Sequence, residues 1–319
     1  MNISAHHWHE IFAELGYTAT QRGPGWQLAP AAADALPLYA APSTSWLNGQ
    51  VFLIHTPQAA AEILAKLYRC LLEINERRLY LAKFALDAAD GLLLSAEAPL
   101  TENYRPLTVQ MVNALRRYAG DYGPIFQSVR LQDHLVWRES AAGQPRTDFD
   151  EYLLSPGGLF AGYLNSVREE HWWMLDRHPQ GQCWRIGYKG QLRLFDQAFL
   201  KISASWVALE VSVLSDPVPK ALKAAPASQA MFLRHLLRLN DEMHLAKFGL
   251  DTEGRLLLMV ELPLAELDFP LFLLALRTLS NYLEQYAQEL ELLAIPERNP
   301  RLAQVLTRSE AWLAPPPCF

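Results

Sequence analysis

Residues 236–263 read LLRLNDEMHLAKFGLDTEGRLLLMVELP, and residues 71–99 read LLEINERRLYLAKFALDAADGLLLSAEAP. One stretch is a second edition of the other. Leu71, Leu72 and Asn75 align with Leu236, Leu237 and Asn240, and Leu81-Ala82-Lys83-Phe84 recurs as Leu245-Ala246-Lys247-Phe248. Asp87 then matches Asp251, Gly91 answers Gly254, and Glu97 and Pro99 answer Glu261 and Pro263. Self-similarity on this scale is read before any single motif, because each copy is one structural unit. Within each copy, LAKFALD and LAKFGLD alternate apolar with polar residues, a short turn follows, and LLLSAEAP or LLLMVELP returns as a second strand. That is a β-hairpin, closed by a proline that belongs at a strand end. Lys83 with Glu97, and Lys247 with Glu261, read as surface ion pairs on the wet face of the hairpin.

Working outward, each hairpin follows a helical stripe. Ile63, Leu64, Leu67 and Leu71 lie on one face in the first copy, with Thr56-Pro57 as the expected helix start. Phe232, Leu233, Leu236 and Leu237 do so in the second, from about residue 228 to 240. Asn75 and Asn240 are expected to stop these helices, since asparagine tolerates the left-handed conformation. Beyond each hairpin a longer helix is expected, with Val112, Leu115, Tyr118 and Tyr122 matched by Leu276, Leu279, Tyr282 and Tyr286.

Each copy also opens on a helix. Trp8, Ile11, Phe12 and Leu15 follow a capping Ser4, and Phe160, Tyr163, Leu164 and Val167 have the same spacing. Strands then arrive in succession, which makes them antiparallel. The first copy suggests short strands at 36–41 and 50–55, with Asn48-Gly49 as a hairpin dipeptide. The second is clearer, at 171–176, 183–188, 191–195 and 206–214. The fold class expected is therefore α+β, a tandem repeat of a helix–antiparallel sheet–helix–hairpin–helix domain. Residues 1–130 form the first repeat and 158–293 the second. The polar stretch 131–157 joins them, and 294–319 is a C-terminal tail.

Composition narrows the function classes. The chain has 319 residues, half of them apolar, and a formal net charge of -6. An acidic balance without Lys/Arg runs argues against nucleic-acid binding. Cys70, Cys183 and Cys318 are too far apart for a metal motif and too few for a disulfide framework, so reduced thiols in the cytoplasm are expected. MNISAHHWHEIF reads as no secretory signal, and apolar runs are broken well short of a membrane span. His6, His7 and His9 read as a solvated helix face rather than a metal site. GxSxG, GxxxxGK[ST], GxGxxG and HExxH are all missing, and His235 and His244 are not spaced for one helix face. No catalytic, cofactor-binding or metal-ligating residue is assigned, and no cofactor is expected.

The order helix, antiparallel strands, helix, hairpin, long helix resembles the YbjN-like and type III secretion chaperone-like superfamily. Asn75 and Asn240, the two LAKF hairpins and the tyrosine-bearing final helices carry that resemblance, over two tandem copies. It implies a compact α+β domain that binds protein segments in the cytosol, often as a dimer. The chain is expected to be a non-enzymatic protein-binding or chaperone-like module, its two copies packed as an intramolecular pseudo-dimer around a protein or peptide partner. A scaffold subunit of a larger assembly is the alternative, and an enzyme with an unrecognised site a lesser one. Among nine tryptophans, Trp172, Trp173, Trp184 and Trp206 are the candidate partner contacts, each weighed against core packing.

Overall fold

A computed structural model describes residues 4–30, 36–56, 58–102, 104–128, 157–167, 171–177, 183–191, 194–203, 205–214 and 226–294. The expected joining stretch 131–157 and the tail fall almost wholly outside these residues. The first repeat runs α1 (Ala5–Glu14), β1 (Tyr17–Arg22), β2 (Gly25–Pro30), β3 (Leu38–Pro42), β4 (Trp46–His55), α2 (Ala61–Arg77), β5 (Ala82–Leu86), β6 (Gly91–Pro99) and α3 (Tyr104–Ser128). The second runs α4 (Gly157–Ser166), β7 (Trp172–Arg177), β8 (Cys183–Lys189), β9 (Leu194–Ile202), β10 (Trp206–Ser212), α5 (Pro226–Glu242), β11 (Ala246–Leu250), β12 (Leu256–Pro263) and α6 (Phe269–Ala294). Both repeats build a six-stranded antiparallel sheet, in the orders β1-β2-β3-β4-β6-β5 and β7-β8-β9-β10-β12-β11. The protein is an α+β tandem repeat.

Local chemistry explains most boundaries. Ser4 caps α1 by accepting from the His7 N–H at 3.3 Å, and Gly16 at φ +80° ends it. Trp8, Ile11 and Phe12 are buried, with Trp8 and Phe12 both against Trp26 of β2. The second repeat makes the same corner with Phe160, Trp184 and Phe272. The Asn48-Gly49 dipeptide does not turn the chain. It lies inside the ten-residue β4, where a Cβ on Gly49 would sit 2.7 Å from Leu115 Cδ1 of α3. Glycine is needed there for the close approach of helix to sheet. Helix α2 has Ala60 as its N-cap, without a side-chain bond, so Thr56 does not cap it, and Pro57 lies outside the described residues.

Burial along the hairpins is the decisive departure from expectation. Every residue of β5, β6, β11 and β12 is buried, so these strands have no wet face. One face carries Phe84, Leu94 or Phe248, Leu258 against the repeat's own long helix. The other is covered from across the molecule. Helix α5 of the second repeat packs on β5 of the first, α2 packs on β11, and α2 and α5 pack on each other. Each repeat thus lends its middle helix to the other repeat's hairpin, a reciprocal contact of the isologous kind.

Candidate functional site

Where the two hairpins meet, the residues shared by the copies converge. Asn75 is wholly buried inside α2 and does not terminate it. Its side-chain oxygen accepts from the Phe84 N–H at 2.6 Å, and its amide donates to the Phe84 carbonyl at 3.1 Å and the Phe248 carbonyl at 3.4 Å. Asn240 reciprocates, accepting from the Phe248 N–H at 2.6 Å and donating to the Phe248 and Phe84 carbonyls at 3.2 and 3.3 Å. An amide side chain offers an acceptor oxygen and an N–H donor side by side, as a strand residue's backbone does, and a second N–H that here reaches the other repeat. The two asparagines therefore stand where a further strand would add, and they close the β5 and β11 edges.

Lys83 and Lys247 flank this box and are buried too, at 2% and 4% exposure. Lys83 meets Glu97 at 3.1 Å and donates to the carbonyls of Met243 and Ala246 in the other repeat. Lys247 meets Glu261 at 2.7 Å and donates to those of Leu79 and Ala82. The accepting carbonyls bracket Leu245 and Leu81, whose φ angles of +64° and +58° are left-handed. Such a conformation is costly for leucine and persists where its surroundings over-determine it. Part of that support is visible, because the Tyr80 N–H donates to Tyr118 Oη at 3.0 Å and the His244 N–H to Tyr282 Oη at 2.8 Å. The surface ion pairs read from the sequence are thus buried pairs at the junction of the repeats. A stripe of alternating residues does not reveal that a second domain covers its polar side.

The reciprocity is broken in two places. Tyr80 stacks on Trp206 with centroids 4.9 Å apart, whereas on the other side His244 stacks on Trp46 at 5.4 Å. Beside His244, Asp241 accepts from Gln50 Nε2 at 3.1 Å. Burial pushes the Asp241 carboxyl up to about 6, against the pull of Lys83 and with further upward pressure from Asp87, Glu97 and Glu242. Burial also lowers the His244 imidazole, with Lys83 in the same direction and Glu97 opposing. The second break is in the hairpin turns. Asp90 (φ +61°) bonds to the Asp87 carbonyl as Gly254 (φ +78°) bonds to that of Asp251. The counterpart of Gly254 is Asp90, therefore, and not Gly91.

The four candidate tryptophans separate. Trp172 and Trp184 are 0% and 1% exposed and are taken up by the core, Trp172 stacking on Tyr188 and bonding Ser280 Oγ at 2.8 Å. They offer a partner no surface. Trp206 belongs to the junction. Trp173 lies flat across Gly187, where a Cβ would come within 2.7 Å of the indole, and stays half-buried on the outer sheet face. Met174 and Leu175 beside it are 43% and 39% exposed, on an edge strand that pairs only with β8 among the described residues. The sequence reading passed over these two. The signal was the unbroken WWML run in an otherwise alternating chain.

Among the described residues, no three His, Cys, Asp or Glu side chains are grouped to hold a metal ion, and no helix is long and apolar enough to cross a membrane. His6 and His7 face Glu10 on exposed α1.

No protein-family model matches the chain, and no curated protein matches it. Among solved structures it is similar to a chain of the heterodimeric ExoU–SpcU complex from the type III secretion system of Pseudomonas aeruginosa. The two are 21% identical over 36% of this chain and 93% of that one, with a TM-score of 0.29. A likeness of that extent leaves the function to the geometry of the chain itself.

Proposed function

We propose that the protein is a non-enzymatic, chaperone-like binding module that holds an extended segment of a partner protein along the outer edge of its second sheet. The reading takes repeats near residues 1–130 and 158–293 as one pseudo-dimeric body working in the cytosol. One observation carries it, the contrast among four sheet edges. The β5 and β11 edges are occupied by the Asn75 and Asn240 amides. The β1 edge, YTATQR, exposes Thr18, Thr20, Gln21 and Arg22, the polar and charged treatment that discourages strand addition. The β7 edge, which pairs only with β8 among the described residues, carries Trp173, Met174 and Leu175. Backbone pairing supplies affinity for an extended peptide, and apolar neighbours supply selectivity.

The test is site-specific photo-crosslinking in the native cell, with a photoreactive residue at Met174 and, as control, at Thr20. A discrete protein adduct is expected from position 174 and not from position 20. Equal labelling at both positions, or none at 174, would remove the β7 edge from consideration.

A further inference from the structure

At the junction Asn75, Lys83 and Glu97 do from one side what Asn240, Lys247 and Glu261 do from the other. Two like repeats would satisfy that box as well as two unlike ones. The corners outside it do tell the repeats apart. At one corner the Asp90 carboxylate of the first hairpin turn takes Arg234 of α5 through Nε at 2.8 Å and through Nη2, and Arg238 at 3.1 Å. At the other corner the equivalent turn residue is Gly254, which brings no carboxylate, and Asp251 and Glu253 beside it are engaged by Arg255. On α2, Arg69 stands in the place of Arg234 and Glu73 in the place of Arg238, at the spacing that relates Asn75 to Asn240. Arg69 Nη2 lies 3.8 Å from where a Cβ on Gly254 would sit, and Arg69 Nε donates to Glu73 at 2.8 Å.

We infer that these corner charges make the junction face of each repeat selective for the unlike repeat, with Glu73 and Arg238 as the deciding residues. In a pairing of two first repeats, each Asp90 would meet Glu73, so a carboxylate would face a carboxylate at both corners. In a pairing of two second repeats, each Gly254 turn would face Arg234 and Arg238 with no carboxylate in the place of Asp90. The unlike pairing alone gives Asp90 both guanidiniums and sets the Arg69–Glu73 pair against the turn that lacks that carboxylate. Selectivity of this sort comes from a penalty on the wrong pairing as well as a gain on the right one. Juxtaposed like charges supply the penalty, and the arginine forks on Asp90 supply the gain. The first repeat thus accepts a second repeat and rejects another first repeat from a neighbouring copy of the chain. The β7 edge, at the far end of the second sheet, takes no part in this selection.

Charge exchange in the full chain, read by thermal melting and analytical ultracentrifugation, tests the assignment. Arg238→Glu sets a carboxylate against Asp90 and should lower the melting midpoint by a few degrees. Adding Asp90→Gly should restore most of that loss, because the corner then repeats the one made by Gly254, Arg69 and Glu73. Glu73→Arg together with Arg238→Glu mismatches both corners within a chain and suits like with like, first repeat on first and second on second. Two chains can then close as a pair, so self-association should strengthen roughly tenfold or more over the parent. Adding Asp90→Gly and Gly254→Asp to this variant makes the unlike pairing fit again, at a backbone conformation that Asp90 shows aspartate to tolerate. Midpoint and self-association should then return to the parent's values. Should the two-residue variant not fold, the four-residue variant carries the test. A loss from Arg238→Glu that Asp90→Gly leaves in full would overturn the assignment. So would a folded two-residue variant that associates no more than the parent, or a four-residue variant that fails to recover.

Discussion

At the junction the two repeats carry the same residues in the same roles: Asn75 and Asn240, Lys83 and Lys247, Phe84 and Phe248, Glu97 and Glu261, Tyr118 and Tyr282. At the far ends of the sheets they part company, with YTATQR on β1 and WWMLDR on β7. The difference has a physical reason. A junction residue answers to both copies, because each lysine and asparagine bonds backbone of the other repeat. Changing one leaves a buried group unsatisfied on the opposite side. An edge residue answers only to its own sheet and to whatever lies outside it. Divergence is therefore cheap at the ends and costly at the centre, and the ends are where the copies have room to acquire separate tasks.

Changing the centre should give the largest effects. Lys83→Met would strand Glu97 and two carbonyls of the other repeat in a buried setting, and removal of one partner of a buried pair costs about 3–5 kcal/mol. Lys247→Met should match it, and urea denaturation measures both. A loss well under 1 kcal/mol for either would show that the junction opens to water and that the repeats are held more loosely than the contacts require.

Phe84→Ala and Phe248→Ala test the packing side of the same strands. Each ring is fully buried, Phe84 edge-on to Tyr122 and Phe126 and Phe248 edge-on to Tyr286. Truncation should cost about 3–5 kcal/mol in each case. Denaturant midpoints that fall for one and not the other would break the equivalence of the two repeats.

Much of this architecture is legible in the sequence. Repeated LAKF with a returning apolar run marks the hairpins, and the Trp8 and Phe160 stripes mark the opening helices. What escaped is what depends on residues distant in the sequence, some of them in the other copy. Alternation in LAKFALD says that Lys83 and Phe84 point opposite ways, but not that α5 covers the lysine. Asn75 looks like a helix stop because the chain turns soon after it, yet the turn falls at Leu81 and the amide serves a strand. Gly49 looks like a hairpin because its neighbour is Asn, whereas the reason for glycine lies in Leu115, far along the chain. Trp172 and Trp173 are indistinguishable as letters. Strand phase sends one into the core and lays the other over Gly187.

Asn75→Ala sharpens the comparison at intermediate scale. It leaves the Phe84 N–H without its 2.6 Å acceptor, and Asn240 still reaches the Phe84 carbonyl. A cost of about 2–3 kcal/mol is expected from one stranded buried donor and the lost bonds. Hydrogen exchange at Phe84 should accelerate more than at Phe248, since each strand leans first on the asparagine of its own repeat. Equal acceleration at both would mean that the box acts as one unit.

Asp241→Asn gives the smallest effect and tests the broken reciprocity itself. The folded protein raises this carboxyl to about 6, mainly through burial, so folding favours its protonated form. The group's contribution is most favourable below the ordinary carboxylate range and is lost as pH rises through about 6. At pH 7–8 the ionised Asp241 is then a liability. The full difference corresponds to about 3 kcal/mol, which solvent screening of a partly exposed group reduces to about 1 kcal/mol. Asparagine keeps an oxygen for the Gln50 amide and carries no charge. The variant should therefore be about 1 kcal/mol more stable than the parent at pH 7.5, and the gain should disappear by about pH 4. His244 works against this trend, since its lowered imidazole makes acidification unfavourable, and it must be left intact in the comparison. Glu76 stands in the first repeat where Asp241 stands in the second, and Lys201 and Glu210 lie near it in place of Gln50. Glu76→Gln should give no such gain at pH 7.5. Thermal melts of both variants between pH 4 and 8 decide the matter, and parallel curves for the two would show that the junction is electrostatically symmetric after all.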